Sequence, residues 1–457
     1  MDPNKTIVTS FDPNRTAAMP SGSLDPNRTA AMNAADLNRT TAMAPAGPTL
    51  TATIVPGREA TMANGPAREP FLLELTAGGS GAMMGGSRTP LNLCLVIDRS
   101  GSMEGPPLEY AKQACSYVVD LLSPDDILSI VTFEEIVDLL MAPQRVTNRQ
   151  LVKDGISRIV AGNTTNLHGG ISLAMQQLGQ VNDPGRLTRM IVLSDGDPTA
   201  GIKDHGSLTA FASEVKARGI TITFLGFGPD YNEELLAGMA KRSGGNYYFI
   251  PRPELIPEIF RTELEKLMTV SARNLHLTLK LSRWVNLRSS HGQTGSDREM
   301  VISMADLERG ATMQQVFDFE FQNHPLGWYR VAGGKLSYDD ASTGRTESMD
   351  LDFVMEFTAD SARYSAPLDS RVRGAADIAL ASRAVERTIM GLKANQITSA
   401  MAVAELQKTQ MLLASEGRTQ EAQEVTMALR AIQSGDTSTA EKTLMGTMVN
   451  LDQGKKP

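Results

Sequence analysis

The most constraining feature of the sequence is an apolar run that ends at an aspartate followed by two serines. Residues 91–97 are nearly continuous in large aliphatic side chains, which is typical of a parallel strand buried on both faces. Asp98 ends the run, and Ser100 and Ser102 follow in a tight turn through Gly101. Ligands of open α/β sheets bind at the carboxyl ends of the strands, so these side chains should face a binding crevice. A carboxylate and two hydroxyls are hard oxygen ligands that suit magnesium and do not suit zinc or copper.

Two further segments supply oxygen ligands at the same edge of the predicted sheet. Residues 161–171 form a glycine-flanked loop that carries Thr164 and Thr165 just before a helical pattern. Residues 189–201 repeat the first arrangement, because an apolar strand delivers Asp195 to the same edge. The order of these groups along the chain is aspartate-x-serine-x-serine, then threonine, then a second aspartate.

This order resembles the metal-ion-dependent adhesion site of von Willebrand factor type A (VWA) domains. In that family the corresponding residues hold magnesium directly or through water. The resemblance assigns the metal ligands to Asp98, Ser100, Ser102, Thr165 and Asp195. Thr165 is preferred over Thr164 because the threonine of the family usually precedes an asparagine directly, as Thr165 does here. The resemblance implies Mg2+, with Mn2+ or Ca2+ as alternatives, and a protein partner that supplies an Asp or Glu to the metal.

Other interpretations of the same residues compete with this one. A DxSxS string alone is common in turns, where aspartate and serine cap helices or bond their own backbone. The enzymatic alternative is a metal-dependent hydrolase or phosphotransferase that uses Asp98 and Asp195. A nucleophilic Asp98, however, usually needs a second carboxylate two residues later, where this chain has Ser100. No G-x-x-x-x-G-K-[ST] loop occurs, and the five histidines show no metal-ligand spacing. We therefore predict a binding and scaffold protein without catalytic residues.

Length and composition limit the remaining classes. A chain of 457 residues should divide into about three domains. Its net charge of -8 gives no reason to expect nucleic acid or an anionic membrane as partner. Cys94 and Cys115 both fall on apolar faces, as expected in a reducing compartment. The sequence shows no signal-peptide core and no run of eighteen apolar residues, so we expect a cytoplasmic protein without a membrane span.

Residues 1–68 differ in composition from the rest of the chain. The octapeptide DPNRTAAM occurs unchanged at 12–19 and 25–32, with relatives at 2–6 and 36–43. These units contain almost no large apolar side chains and recur at irregular spacings, so they cannot stack into a solenoid core. We expect a disordered tail that carries copies of a short linear motif, followed by a linker rich in proline, glycine, alanine and threonine.

Three functions are open for the repeated motif. Each N-[KR]-T is formally a glycosylation acceptor, but the sequence shows no secretion signal. A plain spacer is a second interpretation, although a spacer does not need eight identical residues twice. The third is phosphorylation, because Thr16, Thr29 and Thr40 each precede a methionine by three residues and resemble targets of forkhead-associated (FHA) domains. Thr6 is a weaker fourth candidate, with Thr9 in place of the methionine. This interpretation implies a Ser/Thr kinase and an FHA-domain protein as partners.

The period of the hydrophobic pattern divides the rest of the chain. Strands and helices alternate over residues 89–268, which predicts a parallel sheet covered on both faces and matches the VWA domain over its whole length. Residues 269–362 alternate with period two and predict a small antiparallel β-sandwich. Residues 69–88 begin with the same alternation, and we expect their strand to pair with that sandwich. Residues 370–452 return to the helical period and predict a hairpin or small bundle.

The predicted fold class is therefore α/β. A doubly wound, Rossmann-like VWA domain is inserted in, or followed by, a small antiparallel β-sandwich, and a helical C-terminal region and a disordered N-terminal tail complete the chain. Bacterial proteins that resemble this one show the inserted arrangement.

Overall fold

The structure is a computed structural model of the 457-residue chain. It describes residues 50–78, 89–181, 183, 185–227, 231–290, 293–295, 298–341 and 343–456. The predicted disordered tail, with the phosphorylation candidates Thr6, Thr16, Thr29 and Thr40, lies outside the described residues.

The described residues form strands and helices in the order that the hydrophobic periods predict. The strands are β1 (Leu50–Pro56), β2 (Ala60–Met62), β3 (Ala67–Ala77), β4 (Leu91–Asp98), β5 (Ile127–Phe133), β6 (Val137–Arg145), β7 (Leu187–Ser194), β8 (Thr221–Phe227), β9 (Tyr247–Ile250), β10 (Val270–Leu281), β11 (Val285–Ser290), β12 (Gln293–Gly295), β13 (Glu299–Ser303), β14 (Leu307–Glu308), β15 (Thr312–Phe321), β16 (Gly327–Asp340) and β17 (Thr346–Thr358). The α-helices are α1 (Pro106–Leu121), α2 (Arg149–Ser157), α3 (Leu167–Gly179), α4 (His205–Ala217), α5 (Glu233–Ser243), α6 (Ile256–Thr269), α7 (Ser361–Tyr364), α8 (Ser370–Lys393), α9 (Ser399–Ser415), α10 (Thr419–Gln433) and α11 (Thr437–Asp452).

A six-stranded sheet in the order β6-β5-β4-β7-β8-β9 forms the centre of the α/β part. All of its neighbouring strands are parallel except β5 and β6, so β6 is an antiparallel strand at the edge of the sheet. Every residue of β4 is buried, because helices cover both faces of the sheet. Cys94 and Val96 pack with α3 and α4, whereas Leu93, Leu95 and Ile97 pack with α1 and α6 on the other face. The doubly wound α/β fold predicted from the sequence is confirmed.

The strands before and after this α/β unit in the sequence form a β-sandwich. Its two sheets have the orders β1-β3-β15-β11-β12 and β13-β10-β16-β17-β2, with β14 beside β10. Phe71 in β3 lies opposite Phe317 in the antiparallel β15, as the alternation in the sequence predicted. The Phe71 ring also lies 5.9 Å from the Phe353 ring of the second sheet, so the two sheets share one apolar core. The α/β unit is therefore inserted between strands of one sandwich.

The sandwich begins earlier in the chain than the sequence predicted. Strands β1 and β2 lie inside the segment that we expected to be a linker, and β1 pairs with β3 in antiparallel register. Leu50, Ala52 and Ile54 are buried and alternate with less buried threonines. The small residues and proline that suggested a linker suit a short strand at the edge of a sheet, where proline is tolerated.

Helices α8 to α11 form the predicted C-terminal helical region and pack against the other two units. Leu444 of α11 belongs to the same apolar cluster as Tyr247 of β9. Val372 of α8 packs with Leu72 of β3. Gly454 follows α11, and its carbonyl accepts a 2.8 Å hydrogen bond from the Gln314 N–H of β15, which connects this end of the chain to the sandwich. Among the described residues no helix has both the length and the apolar character needed to cross a membrane.

Candidate metal centre

Two neighbouring parallel strands end at the candidate site. Ile97 pairs with Leu193 in the parallel register of β4 and β7, so Asp98 and Asp195 leave the sheet at the same edge. Asp98 has no solvent exposure and Asp195 is 7% exposed. Burial of β4 on both faces thus fixes the position of Asp98 at the carboxyl end of the strand.

Hydrogen bonds within the turn after β4, and hydrogen bonds to the loop that carries Thr165, hold this turn in place. The Ser100 N–H donates to Asp98 Oδ1 over 2.8 Å. The Gly101 N–H donates to the Asn163 carbonyl over 3.3 Å, and the Gly162 N–H donates to the Arg99 carbonyl over 2.6 Å. A Cβ on Gly101 would lie 3.3 Å from the Gly162 carbonyl oxygen, so glycine allows the loop that carries Thr165 to approach this turn closely.

A chain of hydroxyl groups connects the two aspartates. The Ser100 and Ser102 hydroxyl oxygens are 3.1 Å apart, and Ser102 Oγ donates to Asp195 Oδ1 over 2.8 Å. Ser194 Oγ donates to Asp98 Oδ2 over 2.6 Å. Both carboxylates are thus oriented by hydroxyl donors that belong to the same strand ends.

Thr165 reaches the same place from the loop before α3. Its N–H donates to Thr199 Oγ1 over 2.8 Å, and the Thr199 N–H donates back to the Thr165 carbonyl over 3.0 Å. A Cβ on Gly196 would lie 3.4 Å from Ser102 Oγ and 3.5 Å from Thr165 Oγ1, so the two hydroxyls border one small space. The structure therefore brings all five residues that the sequence singled out to one edge of the sheet.

Thr164, the alternative to Thr165, has a different environment. Its hydroxyl oxygen is buried without a hydrogen-bond partner among the described residues. By contrast, Thr165 Oγ1 lies beside Gly196 and Ser102, which connects that hydroxyl to both aspartate-bearing turns.

The electrostatics of the site favour a bound cation. Burial raises the pKa of Asp98 to about 7, with the negative charge of Asp195 adding to the rise, although hydrogen bonds from Ser194 and Ser100 oppose it. No lysine, arginine or histidine that the structure describes forms an ion pair with Asp98. A buried carboxylate in this position is stabilised when a cation compensates its charge.

The donor set fits a hard cation. Within the described ranges, no group of three or more His, Cys, Asp or Glu side chains could hold a metal. The candidate centre instead combines two carboxylates with three hydroxyls, all of them oxygen donors, as Mg2+, Mn2+ and Ca2+ prefer. The residues present therefore fit the metal that the resemblance implies.

Several residues that support the site were missed from the sequence. Ser194, directly before Asp195, bonds the other aspartate, and its position at the strand end could have indicated this. Glu134 accepts from the Asn163 N–H over 3.2 Å and from Arg99 Nη2 over 3.4 Å, which holds the threonine loop. No local pattern marks Glu134, because its partners are distant in sequence.

His168, which follows the loop that carries Thr165, packs against an aromatic ring. Its ring centroid lies 4.6 Å from that of Phe211 in α4. The start of α3 is capped by Asn166, whose Oδ1 accepts from the Gly169 N–H over 3.0 Å. Residues 166–169 therefore serve the helix start.

Comparison with known proteins supports the fold of the α/β unit. The family model described as von Willebrand factor type A domain matches residues 92–262. An uncharacterized protein of Synechocystis sp. is 33% identical over 201 residues, which cover 44% of this chain and 47% of that protein. This chain thus spans about half of the length of that relative.

Two solved structures resemble most of the chain. A von Willebrand factor type A protein from Catenulispora acidiphila covers 82% of this chain and 88% of its own length, with a TM-score of 0.67 and 17% identity. The ArnB paralog VWA2 from Sulfolobus acidocaldarius covers 88% of this chain and 98% of its own length, with a TM-score of 0.61 and 18% identity. At these identities the likeness shows the fold alone. The α/β unit of this chain, over residues 92–262, is a von Willebrand factor type A domain.

Proposed function

We propose that the protein is a non-enzymatic, Mg2+-dependent binding and scaffold protein that captures a protein partner at the metal centre of its VWA domain. The ligands would be Asp98, Ser100, Ser102, Thr165 and Asp195, with Mn2+ or Ca2+ as alternative ions. The observation that carries this proposal is the hydroxyl chain that runs from Ser100 through Ser102 to Asp195 beside the buried Asp98.

The charge of the site suits an acidic partner. When bound, the metal would offer a coordination position to an Asp or Glu side chain of the partner protein. Only two of the five protein ligands are carboxylates, so the site does not carry the excess negative charge that would repel such a side chain.

The environment of Asp98 favours binding over catalysis. Its Oδ1 accepts a hydrogen bond from the Ser100 N–H and its Oδ2 accepts one from Ser194 Oγ. These hydrogen bonds fix the orientation of the carboxylate and leave each oxygen a lone pair for a cation. The position two residues later, where a nucleophilic aspartate of a phosphotransferase usually has a second carboxylate, holds Ser100. A metal-dependent hydrolase or phosphotransferase that uses Asp98 and Asp195 remains the alternative.

Calorimetric titration of the full chain with Mg2+ tests the metal, and Mg2+-dependent pull-down from a lysate of the native organism tests capture. Asp98→Ala should lose both, whereas Asp125→Ala, which removes an exposed aspartate of the α1–β5 turn, should keep both. Unchanged Mg2+ affinity in Asp98→Ala would contradict the assignment. Turnover of a phosphoester that disappears in Asp98→Asn would favour the enzyme.

The repeated tail motif carries a second part of the proposal. We propose that a Ser/Thr kinase modifies Thr16, Thr29 and Thr40, and Thr6 less well, and that an FHA-domain protein binds the phosphorylated sites. The support is the identical context of the three threonines, with Asn at minus two, Arg at minus one and Met at plus three. Several copies would raise the overall affinity through effective concentration. Phosphoproteomics of the native cell should find these sites modified, and an abundant but always unmodified tail would favour the spacer.

We also propose a bacterial, cytoplasmic location. Its support is that Cys94 and Cys115 are both buried and unpaired, as is common for cysteines of a reducing compartment. Fractionation of the native cell should recover the protein with the cytoplasm, and recovery with the medium or an envelope fraction would contradict this.

A further inference from the structure

A large cavity lies where the VWA domain, the sandwich and the last helix meet. Its volume is about 1070 Å3. Helices α4 and α5 form one wall, β10, β13 and β16 form the second, and the end of α11 forms the third. The cavity runs along α4 from His205 to Gly219 and reaches Gly245, just before β9. Gly219 and Gly245 lie at the amino ends of β8 and β9, the opposite edge of the sheet from Asp98.

A buried lysine without a hydrogen-bond partner among the described residues lies in the wall of this cavity. The Lys216 side chain is only 9% exposed, and its Nζ has no hydrogen-bond partner among the described residues. A Cβ on Gly244 would lie 3.1 Å from this Nζ, which places the ammonium group beside the α5–β9 turn that lines the cavity. Three N–H donors in a buried place should find acceptors, because an unsatisfied buried charge is costly.

The nearest carboxylate does not satisfy Lys216. Asp306 Oδ1 lies 4.0 Å from Lys216 Nζ, beyond hydrogen-bond distance. Asp306 is instead ion-paired with Arg189 and accepts from the Asn274 N–H over 3.1 Å. Two cations thus share one carboxylate. Burial lowers the pKa of Lys216 although Asp306 opposes this, as expected for an ammonium group short of acceptors.

The other charged groups at the cavity leave an excess of positive charge. Lys241 is ion-paired with Asp452. Asp339 accepts from Asn274 Nδ2 and from Thr346 Oγ1, both over 2.7 Å. Arg242 and His205 are exposed and form no ion pair with any residue that the structure describes. The acids that face the cavity therefore already have partners, whereas three of its basic groups have room for an anion.

The dipoles of α4 and α5 explain only part of the clustering of cations at the cavity. Lys216 lies in the last turn of α4, and Lys241 and Arg242 lie in the last turn of α5. Cations are favoured at helix carboxyl ends by the helix dipole. That attraction supplies no acceptor to Lys216 Nζ, and an exposed lysine would gain it equally well.

We propose that this cavity binds a small phosphorylated metabolite whose phosphate group accepts hydrogen bonds from Lys216. Lysine is a common phosphate ligand that acts as a compact charge, and the cavity volume of about 1070 Å3 is close to the upper end of the usual range for small-molecule pockets. Ile302 and Met304, which are buried and line the sandwich wall, offer apolar contact to the rest of such a molecule. The site lies on the opposite edge of the VWA sheet from the metal centre and does not depend on the proposed metal function.

Calorimetric titration of the full chain with inorganic phosphate, at constant ionic strength kept with sodium chloride, tests the proposal. We expect saturable binding, and we expect Lys216→Met to weaken it by about tenfold or more, the usual effect of removing a charge-assisted hydrogen bond. Lys203→Met removes an exposed cation outside the cavity and should leave phosphate affinity unchanged. Absent saturable binding, or equal affinity in the wild type and Lys216→Met, would overturn the proposal.

A second variant keeps the test decisive if Lys216→Met does not fold. Val301 is 61% exposed and lines the cavity, so Val301→Trp should narrow the cavity while Lys216 stays intact. We expect it to weaken phosphate binding, whereas Leu326→Trp, at a similarly exposed position outside the cavity, should not. Asp98→Ala should bind phosphate like the wild type, and loss of binding there would instead place the anion at the metal centre.

Discussion

Ser102 Oγ donates a 2.8 Å hydrogen bond to Asp195 Oδ1 and so joins the turn after β4 to the turn after β7. The two residues are 93 positions apart in the chain, and their contact depends on the parallel pairing of the two strands. The same hydroxyl lies 3.1 Å from Ser100 Oγ, so one side chain connects both halves of the candidate metal centre.

Ser102→Ala should therefore lower the Mg2+ affinity of the centre more than a serine-to-alanine substitution elsewhere in the chain would. We expect Mg2+ affinity to fall by about tenfold or more, because the variant loses one proposed ligand and the donor that orients Asp195. The free energy of unfolding should fall by only about 1 kcal/mol, the usual worth of one hydrogen bond. Calorimetry and urea unfolding measure the two effects. Ser157→Ala, on the exposed end of α2, should change neither, and equal Mg2+ affinity of both variants would exclude Ser102 as a ligand.

Glu69 should make stability depend on pH. Burial raises the pKa of its carboxyl to about 7, although Arg58 opposes the rise with contacts of 3.1 Å to both oxygens. The folded pKa exceeds the unfolded value, so the folded state binds more protons and the contribution of Glu69 to stability decreases as pH rises from about 5 to 8. The full effect is up to about 3 kcal/mol at about 1.4 kcal/mol per pKa unit.

Urea unfolding of the wild type and Glu69→Gln at several pH values measures this effect. The wild type should lose stability relative to Glu69→Gln across that range, because glutamine keeps a hydrogen-bonding side chain and does not titrate. Parallel pH profiles for the two proteins would show that Arg58 compensates the buried charge fully.

The sequence predicts the α/β domain well because its signals are local. The apolar run of β4 ends at Asp98 in the sequence and in the structure, and the order of strands and helices follows from periods that a short window reveals. The five candidate ligands come together because parallel strands align their carboxyl ends.

The sequence fails where a contact joins distant segments. Strand β1 is a different case, because its alternation of Leu50, Ala52 and Ile54 with threonines is a local strand signal that the proline and small residues around it obscured. The contact of Lys216 with Asp306 depends on how the sandwich packs against α4, and no local pattern encodes that packing. Such contacts are fixed by tertiary packing, which overrides local propensity.

A chain truncated to begin at Thr89 should aggregate. It would lose β1, β2 and β3, and would expose the edge of β15 that pairs with β3 together with the apolar side chains of the sandwich core. A chain that begins at Leu50 keeps all three strands and should remain monodisperse. Size-exclusion chromatography compares the two, and equal monodispersity would show that the sandwich does not need its first strands.

Gly245→Ala should be strongly destabilising. A Cβ at this position would lie 2.0 Å from the Ile222 carbonyl oxygen, so the backbone of the α5–β9 turn or of β8 would have to move. We expect a loss of about 2 kcal/mol or more from this overpacking. Gly155→Ala is the matched control, because a Cβ there meets nothing within 4 Å and alanine favours the helix by up to about 1 kcal/mol. A smaller loss in urea unfolding for Gly245→Ala than for Gly155→Ala would contradict the close packing.

Glu134→Ala should lower the Mg2+ affinity of the metal centre, although Glu134 is not one of the five candidate ligands. Glu134 accepts from the Asn163 N–H over 3.2 Å, and so positions the loop that leads to Thr165. Arg99 keeps its 2.8 Å ion pair with Asp138 in the variant, so the fold around β5 and β6 should persist.

We expect Mg2+ affinity to fall about tenfold or more in Glu134→Ala, the lower end of the usual effect of removing a residue that orients metal ligands. Glu134→Gln keeps an acceptor for the Asn163 N–H and should restore much of the affinity. Asp138→Ala removes the other acid that pairs with Arg99 but leaves the loop contact, and serves as the control. Calorimetric titration with Mg2+ compares the three variants, and a loss in Asp138→Ala as large as in Glu134→Ala would assign the effect to Arg99 and not to the threonine loop.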